Sequence, residues 1–314
     1  MSRLRTAVVG VGYLGNFHAQ KYAALTDVEL TGVVDSDAAR ASEVAAACGC
    51  TAFTDYRELI GRVDAVSVVV PTQYHHQVAL DFLSAGVHVL IEKPITVTIE
   101  QADELIAVAD EKKLVFQVGH LERFNPVLMA AEEVLNAPLF VESVRIAPFK
   151  PRGTDVNVVL DLMIHDIDII QYLVKSKVKR IDAIGAPVFT AEEDIANARI
   201  AFENGCVANV TASRISLKSE RKMRIFQRDA YLTLDFQNKK LLTAKRGVGE
   251  LMPGIPNVQV QERELGQSDP LLSEINSFVE AIQQGGQPQV SGRDGRMALE
   301  TALKINEALN RIPS

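Results

Sequence analysis

The sequence predicts an α/β fold in which an N-terminal domain with a doubly wound parallel sheet precedes an α+β domain with a large, open and mainly antiparallel sheet. Up to about residue 120, short apolar runs rich in β-branched residues alternate with helix-like stretches. Continuous apolar strands of this kind belong to parallel sheets that are covered on both faces. After residue 120, strand-like runs follow one another without helices between them, which indicates antiparallel pairing.

The first part of the chain contains six predicted strands. They lie at residues 6–9, 30–34, 51–53, 65–70, 88–91 and 114–118. Between them the apolar residues have helical spacing, as at Val78, Ala79, Phe82 and Leu83. A strand, a helix and a further strand, repeated, are typical of the doubly wound arrangement.

The second part begins with a helix-like segment, an extended stretch and a loop, at residues 127–135, 139–149 and 150–155. An amphipathic helix is predicted at 158–173, and the strands that follow include 198–202, 207–211, 223–226 and 231–234. Residues 253–256 are predicted to form an ordinary loop, and two helices at about 270–284 and 292–311 close the chain. We therefore expect domains at 1–120 and 121–314, with the C-terminal helices as candidates for packing back on the first domain.

Composition and charge exclude several classes of protein. The 33 Lys and Arg residues against 40 Asp and Glu residues give a net charge of −7, without the clustered positive field that nucleic acids or anionic membranes require. Aromatic residues make up only 6% of the chain and Trp is absent, which disfavours a base-stacking surface. No apolar run approaches the roughly 20 residues of a membrane span, and the first residues lead straight into a strand without a signal-peptide core. We expect a cytoplasmic protein.

The three cysteines, Cys48, Cys50 and Cys206, are too few and too unevenly spaced for a four-ligand zinc site. An odd number of cysteines suits a reducing compartment, and we interpret them as small buried side chains. The sequence therefore predicts no metal site.

A glycine motif directly follows the first strand. Gly10, Gly12 and Gly15, with Tyr13 and Leu14 between the last two, stand between that strand and a helix. The first glycine permits a tight turn, the second lets the backbone approach a pyrophosphate, and the third allows close helix packing. Asp35 ends the second strand 20 residues after Gly15, at the spacing of a residue that binds the adenosine ribose. Together they predict a dinucleotide site.

Asp35 also predicts which dinucleotide is bound. A carboxylate at this position accepts hydrogen bonds from a ribose diol but repels a 2′-phosphate, so NAD is favoured over NADP. Arg40 lies about a turn further on and could receive a phosphate, but we interpret it as a solvated residue of the helix surface.

Two further motifs end neighbouring strands of the predicted parallel sheet. Glu92-Lys93-Pro94 follows the fifth strand, and Pro71-Thr72 and His75 follow the fourth. Ligands of open α/β sheets bind beyond the carboxyl ends of the strands. Lys93 is therefore expected to point towards the reactive part of the cofactor.

The amphipathic helix at 158–173 carries polar residues on an otherwise apolar surface. Asp161, His165 and Asp168 lie at i, i+4 and i+7 and share one face. One interpretation is a helix with one wet side. The other, which we favour, is a catalytic group of Asp161, His165 and Lys93, because oxidation of an alcohol needs a base for the hydroxyl proton and His is suited to that near neutral pH.

Taken together, these motifs resemble the glucose–fructose oxidoreductase/inositol dehydrogenase (Gfo/Idh/MocA) family over nearly the whole chain. The resemblance implies an NAD-binding Rossmann domain at 1–120 and a substrate-binding domain at 121–314 whose sheet makes homodimers or homotetramers. It implies that Lys93 and His165 are the catalytic pair, with Asp161 as a partner of the substrate or the histidine. It also places Pro71, Thr72, His75, Glu92 and Lys93 in the cofactor pocket.

Within that family, the segments 119–126, 148–155 and 194–199 are similar to those of bacterial dehydrogenases of UDP-amino sugars. This implies oxidation of the 3-hydroxyl group of UDP-N-acetylglucosamine to a 3-keto sugar, which is later aminated for lipid A. The cationic candidates for holding the diphosphate are His120, Arg123, Lys150 and Arg152. For Arg123 a salt bridge at the domain junction is an equal alternative, and for Lys150 and Arg152 the alternative is a solvated loop.

Other functions remain open at this stage. The enzyme alternatives are dehydrogenases of UDP-N-acetylglucosaminuronate, of inositol or of an aldose. An NAD-binding regulatory protein that has lost catalysis is the alternative of another class. That alternative predicts a missing catalytic pair, whereas Lys93, Asp161 and His165 are all present.

Overall fold

The computed structural model describes residues 3–150 and 156–309. It divides the chain into two compact units. Unit 1 contains the residues up to Leu121 together with Asp269–Leu299, and unit 2 contains Glu122–Ser268 together with the residues from Glu300 onward. Arg152, one of the predicted diphosphate-binding residues, lies outside the described residues.

Unit 1 contains a six-stranded sheet in which every pair of neighbouring strands is parallel. The strands are β1 (Leu4–Val9), β2 (Val28–Val34), β3 (Thr51–Phe53), β4 (Ala65–Val68), β5 (His88–Glu92) and β6 (Phe116–Gly119). Their order is β3-β2-β1-β4-β5-β6, so the direction of winding reverses between β1 and β4. The predicted doubly wound parallel sheet is confirmed, and its switch point is where such sheets bind dinucleotides.

Six α-helices contribute to the part of unit 1 that the structure describes. They are α1 (Tyr13–Ala24), α2 (Ala38–Cys48), α3 (His75–Ser84), α4 (Ile99–Glu111), α7 (Pro270–Gln284) and the first part of α8 (Gly292–Leu309). Helix α7 joins the core on one face of the sheet, where Ile275 and Phe278 are buried in one cluster with Tyr22 of α1 and Leu90 of β5. Two polar residues of the sheet, Ser67 and Gln117, are also fully buried. Polar side chains therefore lie next to the apolar core of this unit.

Unit 2 is built on an eight-stranded sheet. The strands are β7 (Phe140–Ile146), β8 (Val178–Ala186), β9 (Ile195–Phe202), β10 (Val207–Ser213), β11 (Glu220–Phe226), β12 (Ala230–Asp235), β13 (Lys240–Met252) and β14 (Ile255–Glu264). Their order is β14-β13-β12-β11-β7-β10-β9-β8, and only the β7–β10 pair is parallel among these strands. The predicted mainly antiparallel sheet is therefore confirmed.

Helices α5 (Pro126–Glu132) and α6 (Ile164–Val174) cover one face of this sheet. Alternate strand residues, such as Ala208 and Val210, are apolar and buried. Asn209, which lies between them, is polar, and on the other face of the sheet Asn197 donates a hydrogen bond to Thr211. Strands β13 and β14 form a long hairpin, so the predicted loop at 253–256 is reduced to a turn at Pro253-Gly254. Among the described residues, no helix is long and apolar enough to cross a membrane.

Candidate cofactor and catalytic site

The glycine turn between β1 and α1 has the geometry that the motif predicts. Gly10 has a φ of +87°, which disfavours any residue with a side chain. A Cβ on Gly15 would lie 1.8 Å from the carbonyl oxygen of Gly10, whereas a Cβ on Gly12 would meet no atom within 4 Å. Helix α1 begins at Tyr13 without a side-chain cap, so its first N–H groups can bind an anion. The open approach at Gly12 fits a pyrophosphate group.

Asp35 follows β2 and contacts the glycine turn directly. Its carboxylate accepts a hydrogen bond from the backbone N–H of Val11 over 3.0 Å and another from that of Asp37 over 3.1 Å. These bonds fix the carboxylate beside the turn, at the end of the strand where the ribose-binding residue is expected.

Arg40, which we predicted to be a solvated residue, instead binds the glycine turn. Its guanidinium donates to the carbonyl oxygens of Val11 over 2.8 Å and Gly12 over 3.3 Å, and to the carboxylate of Glu43 over 2.9 Å. The sequence interpretation was wrong because helical periodicity does not show that the first turn of α2 faces the glycine turn.

At the end of β5, Glu92 forms the acidic centre of a buried network. Its carboxylate lies 3.2 Å from Nε2 of His18 and accepts a hydrogen bond from the backbone N–H of Lys93 over 3.3 Å. Burial alone would raise the pKa of Glu92, but the His18 hydrogen bond and the Lys93 charge outweigh it and lower that pKa below its usual value. Gly119 leaves room for this carboxylate, because a Cβ there would lie 2.9 Å from Oε1 of Glu92. Lys93 itself is half-buried.

His75 joins the segments after β4 and β5. Its Nδ1 lies 2.9 Å from the carbonyl oxygen of Pro94, and its Nε2 lies 2.8 Å from that of Val70. Burial lowers the pKa of His75 although both carbonyl groups act in the opposite direction, and the neutral ring donates to one of the two. The structure thus places His75 between two loops of the predicted pocket, with Pro71 exposed and Thr72 half-buried beside it.

In unit 2 the predicted helix at 158–173 begins with a π-helical turn, Val159–Met163, before α6 starts at Ile164. Asp161 lies in the π turn and His165 in the first turn of α6, and both are half-buried. Turns of this kind are rare and occur often at functional sites. Both side chains are partly exposed, whereas the neighbouring Met163, Ile164 and Asp166 are buried.

Asp168, which we predicted to share the face of Asp161 and His165, is instead buried in an ion pair. Arg123 donates two hydrogen bonds to it, over 2.6 and 3.0 Å, and the exposed fractions of the two side chains are 3% and 2%. The guanidinium carbon of Arg123 also lies 3.9 Å from the ring centre of Tyr172. This geometry supports the salt-bridge alternative for Arg123 rather than a contact with substrate.

The other two described candidates for diphosphate binding differ in exposure. His120 follows β6 and is 1% exposed, whereas Lys150 is exposed in the segment after β7.

Two buried charged residues were not predicted from the sequence. They are Arg145, which pairs with Asp166 and Glu122, and Glu274 in α7. A carboxylate among the apolar positions of α7 is the only signal in the sequence that could have marked Glu274.

Comparisons with known proteins find matches for both parts of the chain. Residues 4–120 match the oxidoreductase family with an NAD-binding Rossmann fold, GFO_IDH_MocA, and residues 147–233 match the GFO/IDH/MocA C-terminal domain. Among curated proteins, UDP-N-acetylglucosamine 3-dehydrogenase of Acidithiobacillus ferrooxidans is 43% identical over 98% of each chain. Inositol 2-dehydrogenase of Rhizobium meliloti is 25% identical over 95% of this chain and 94% of its own.

Solved structures show the same fold. The structure of UDP-N-acetylglucosamine 3-dehydrogenase from Acidithiobacillus ferrooxidans superposes with a TM-score of 0.92, at 41% identity and with 98% of each chain covered. Scyllo-inositol dehydrogenase from Lactobacillus casei, with bound NAD(H) and scyllo-inositol, gives a TM-score of 0.82 at 23% identity, over 98% of this chain and 97% of its own.

Proposed function

Because the chain belongs to the Gfo/Idh/MocA oxidoreductase family, we propose that it is a dehydrogenase that oxidises the 3-hydroxyl group of UDP-N-acetylglucosamine with NAD+. The resemblance inferred from its motifs is thereby confirmed at the level of the family. The observation that carries the choice of substrate is the full-length similarity to a UDP-N-acetylglucosamine 3-dehydrogenase. The product is a 3-keto sugar, which we place before an amination step towards lipid A.

The cofactor assignment is supported by the glycine turn and Asp35. Bound NAD+ supplies the acceptor for the hydride of the sugar C3–H bond. The N–H groups at the start of α1 and the open backbone at Gly12 would hold the pyrophosphate, and Asp35 would accept hydrogen bonds from the ribose diol. We propose NAD rather than NADP because the Asp35 carboxylate repels a 2′-phosphate, while Arg40 is engaged with Val11, Gly12 and Glu43. Tyr13 and Leu14 complete the cofactor-binding turn.

The catalytic assignment gives each residue one task. His165 takes the proton of the 3-hydroxyl group, and the ammonium group of Lys93 stabilises the alkoxide that this proton transfer produces before the hydride leaves C3. Asp161 orients either the substrate or His165. A sugar alcohol is a poor proton donor at neutral pH, so removal of the hydroxyl proton and stabilisation of the resulting negative charge are what the protein must supply.

Substrate binding requires cations because a UDP-sugar carries a diphosphate. We propose Lys150, Arg152 and His120 for this role, since Arg and Lys pair with phosphate oxygens. Lys150 is exposed and therefore accessible to a diphosphate, and the burial of His120 makes Lys150 the better supported of these two. Arg123 stays a sequence prediction for this role, and its buried pair with Asp168 supports a structural function.

Dehydrogenation of inositol is the second candidate, because curated inositol 2-dehydrogenases match over nearly the full length at about a quarter identity. Related activities on a uronate or an aldose are variants of the same chemistry. The regulatory alternative is disfavoured because Lys93, Asp161 and His165 are all present. Cytoplasmic location and a homodimer or homotetramer belong to the same proposal.

The test is the formation of NADH when the purified protein is incubated with NAD+ and a panel of UDP-sugars, inositol and glucose. We expect turnover with UDP-N-acetylglucosamine, and we expect Lys93→Ala and His165→Ala to lower kcat by about 10²–10⁴-fold. Lys112→Ala, at an exposed lysine of unit 1, is the control and should leave kcat unchanged. Turnover of inositol alone would remove the substrate assignment, and full activity of both variants would remove the catalytic assignment.

A further inference from the structure

Helix α7 carries a glutamate in the core of unit 1 that the proposed mechanism does not use. Glu274 is 0% exposed, and no hydrogen-bond donor among the described residues reaches either of its carboxylate oxygens. An ionised carboxylate in such a place is costly because it has lost its water without gaining a compensating charge. Glu274 therefore needs either a proton or a partner.

The groups around Glu274 come from three elements. Glu92 ends β5, and His18 and Tyr22 belong to α1. From β6, the uncharged Gln117 donates a hydrogen bond to the backbone carbonyl of Glu274 over 3.0 Å. The carboxylates of Glu92 and Glu274 and a ring nitrogen of His18 all lie within 4.8 Å of one another. Two carboxylates at this separation in a dry core cannot both be ionised without strong repulsion.

A chain of hydrogen bonds decides which carboxylate keeps its charge. Tyr22 and Ser67 lie 2.9 Å apart at their hydroxyl oxygens, and Ser67 lies 3.2 Å from Nδ1 of His18. Assigned in one direction, the hydroxyl of Tyr22 donates to Ser67, Ser67 donates to His18, and Nε2–H of His18 donates to Glu92 over 3.2 Å. Glu92 also accepts from the backbone N–H of Lys93, so it is the acceptor at which the chain ends.

We propose that Glu274 is a positioning residue: a neutral carboxylic acid whose O–H group donates to the carboxylate of Glu92 and so keeps Glu92 ionised and oriented beside Lys93. The inference rests on the proposed function only for the task given to Lys93. Burial and the charge of Glu92 raise the pKa of Glu274 well above its usual value, which agrees with a neutral acid. In this assignment a proton, rather than a metal ion, neutralises the second carboxylate. Nδ1 of His18 accepts from Ser67 and Nε2–H donates to Glu92, so neither ring nitrogen has a lone pair left for a metal ion.

The first test measures stability against pH and needs no substrate. A carboxyl group whose pKa is raised on folding binds more protons in the folded state, so wild-type stability falls as pH rises above the unfolded value of about 4.3. Glu274→Gln keeps the shape and a donor but cannot ionise, so its Tm should exceed that of the wild type by an increasing margin as pH rises. Glu280→Gln, at an exposed position of the same helix, is the control and should show no such trend. A margin for Glu274→Gln that stays constant or shrinks with pH would overturn the proposal.

The second test separates positioning from a purely structural role. Glu274→Gln should keep kcat close to the wild-type value, and Glu274→Leu should lower kcat roughly tenfold to a hundredfold with little change in the KM for NAD+. Loss of activity in a folded Glu274→Gln protein would show that the ionised carboxylate is needed and would overturn the proposal. A wild-type Tm that rises on addition of Mn2+ or Zn2+, without a rise in Glu274→Gln, would do the same. If the wild type turns over no sugar, the proposed function fails while the pH test still decides the state of Glu274.

Discussion

Arg123 holds Asp168 in a buried two-bond ion pair, with N–O distances of 2.6 and 3.0 Å. A second pair lies two residues earlier on the same helix, where Arg145 donates two hydrogen bonds to Asp166 over 2.8 and 3.2 Å. Asp166 directly follows His165 in the first turns of α6. The two pairs therefore fix the helix that carries the proposed base, and Arg123 and Arg145 act through that helix.

Breaking the Arg123–Asp168 pair should destabilise the protein strongly. Arg123→Met leaves a buried carboxylate without its cation, which costs about 3–5 kcal/mol in the free energy of unfolding. Unfolding in urea, followed by circular dichroism, measures this loss. The double variant Arg123→Met/Asp168→Leu should regain much of it, because no buried charge is then left alone. The control is Arg180→Met, which breaks the exposed pair with Asp182 and should change the free energy of unfolding only slightly. A loss of stability in Arg123→Met as small as that of the control would contradict this account.

Substitutions of two glycines in the turn should affect NAD+ binding and protein stability separately. Gly12→Ala adds a methyl group where no atom lies within 4 Å, so the fold should persist while NAD+ binding weakens by roughly tenfold, or about 1.4 kcal/mol. Gly15→Ala forces a methyl group against the carbonyl oxygen of Gly10 and should lower the free energy of unfolding by about 4 kcal/mol or more. Isothermal titration with NAD+ and urea unfolding measure the two effects. Gly266→Ala, also open, should change neither, and unaltered NAD+ affinity in Gly12→Ala would contradict the assigned pyrophosphate site.

Asp35 should control the choice between NAD+ and NADP+. Asp35→Ser removes the charge that repels a 2′-phosphate, and the phosphate then competes with the glycine turn and Glu43 for the guanidinium of Arg40. The ratio of kcat/KM for NAD+ to that for NADP+ should therefore fall by at least roughly tenfold. Steady-state kinetics with both cofactors give this ratio. Adding Arg40→Gln should abolish the gain with NADP+, and Glu29→Gln, exposed on β2, should leave the ratio unchanged. An unchanged ratio in Asp35→Ser would exclude Asp35 as the selective residue.

Asp194 should make the stability of unit 2 depend on pH in the acid range. Its carboxylate accepts hydrogen bonds from the backbone N–H groups of residues 188–190 and from Arg214. Burial raises the pKa of Asp194, but these bonds outweigh it and hold that pKa well below its usual value. The stabilisation is therefore present above the unfolded value of about 3.9 and is lost as pH falls below it.

Asp194→Asn should consequently cost about 3–5 kcal/mol at neutral pH. The difference from the wild type should shrink as the pH falls below about 4, because the unfolded wild-type chain then binds a proton at this carboxyl while the folded state, with its lowered pKa, does not. Thermal unfolding over a pH series measures both effects. Asp182→Asn, in an exposed pair, is the control, and a difference that does not change with pH would show that the charge of Asp194 is unimportant.

Local signals explain which elements could be predicted from the sequence. Helix α7 occupies the predicted residues, Pro270–Gln284, because Asp269 caps its start, Pro270 follows the cap, and Gly285 ends it in the left-handed conformation. The glycine turn was equally predictable, since each glycine has a separate steric reason to be there. The long β13–β14 hairpin was harder to predict, because its residues are largely exposed and lack a clear apolar alternation.

Side-chain roles that depend on distant partners could not be predicted. Arg123 and Asp168 lie 45 residues apart, and helical spacing alone placed Asp168 on the face of His165. Arg40 donates to the carbonyl oxygen of Gly12, 28 residues earlier in the chain, and helical periodicity does not indicate such a contact. Glu274 reaches Glu92 only because α7 packs beside α1 on the sheet. Tertiary packing, which the local pattern does not encode, decides all three.

The most direct test of the proposed reaction is hydride transfer from UDP-N-acetylglucosamine that carries deuterium at C3. Oxidation of the 3-hydroxyl group breaks this C–D bond, so mass spectrometry should find the deuterium in the reduced cofactor and a 3-keto sugar as the product. The same substrate with deuterium at C4 should yield unlabelled NADH. Unlabelled NADH from the C3-labelled substrate, or no reduction of NAD+ at all, would contradict the proposed function.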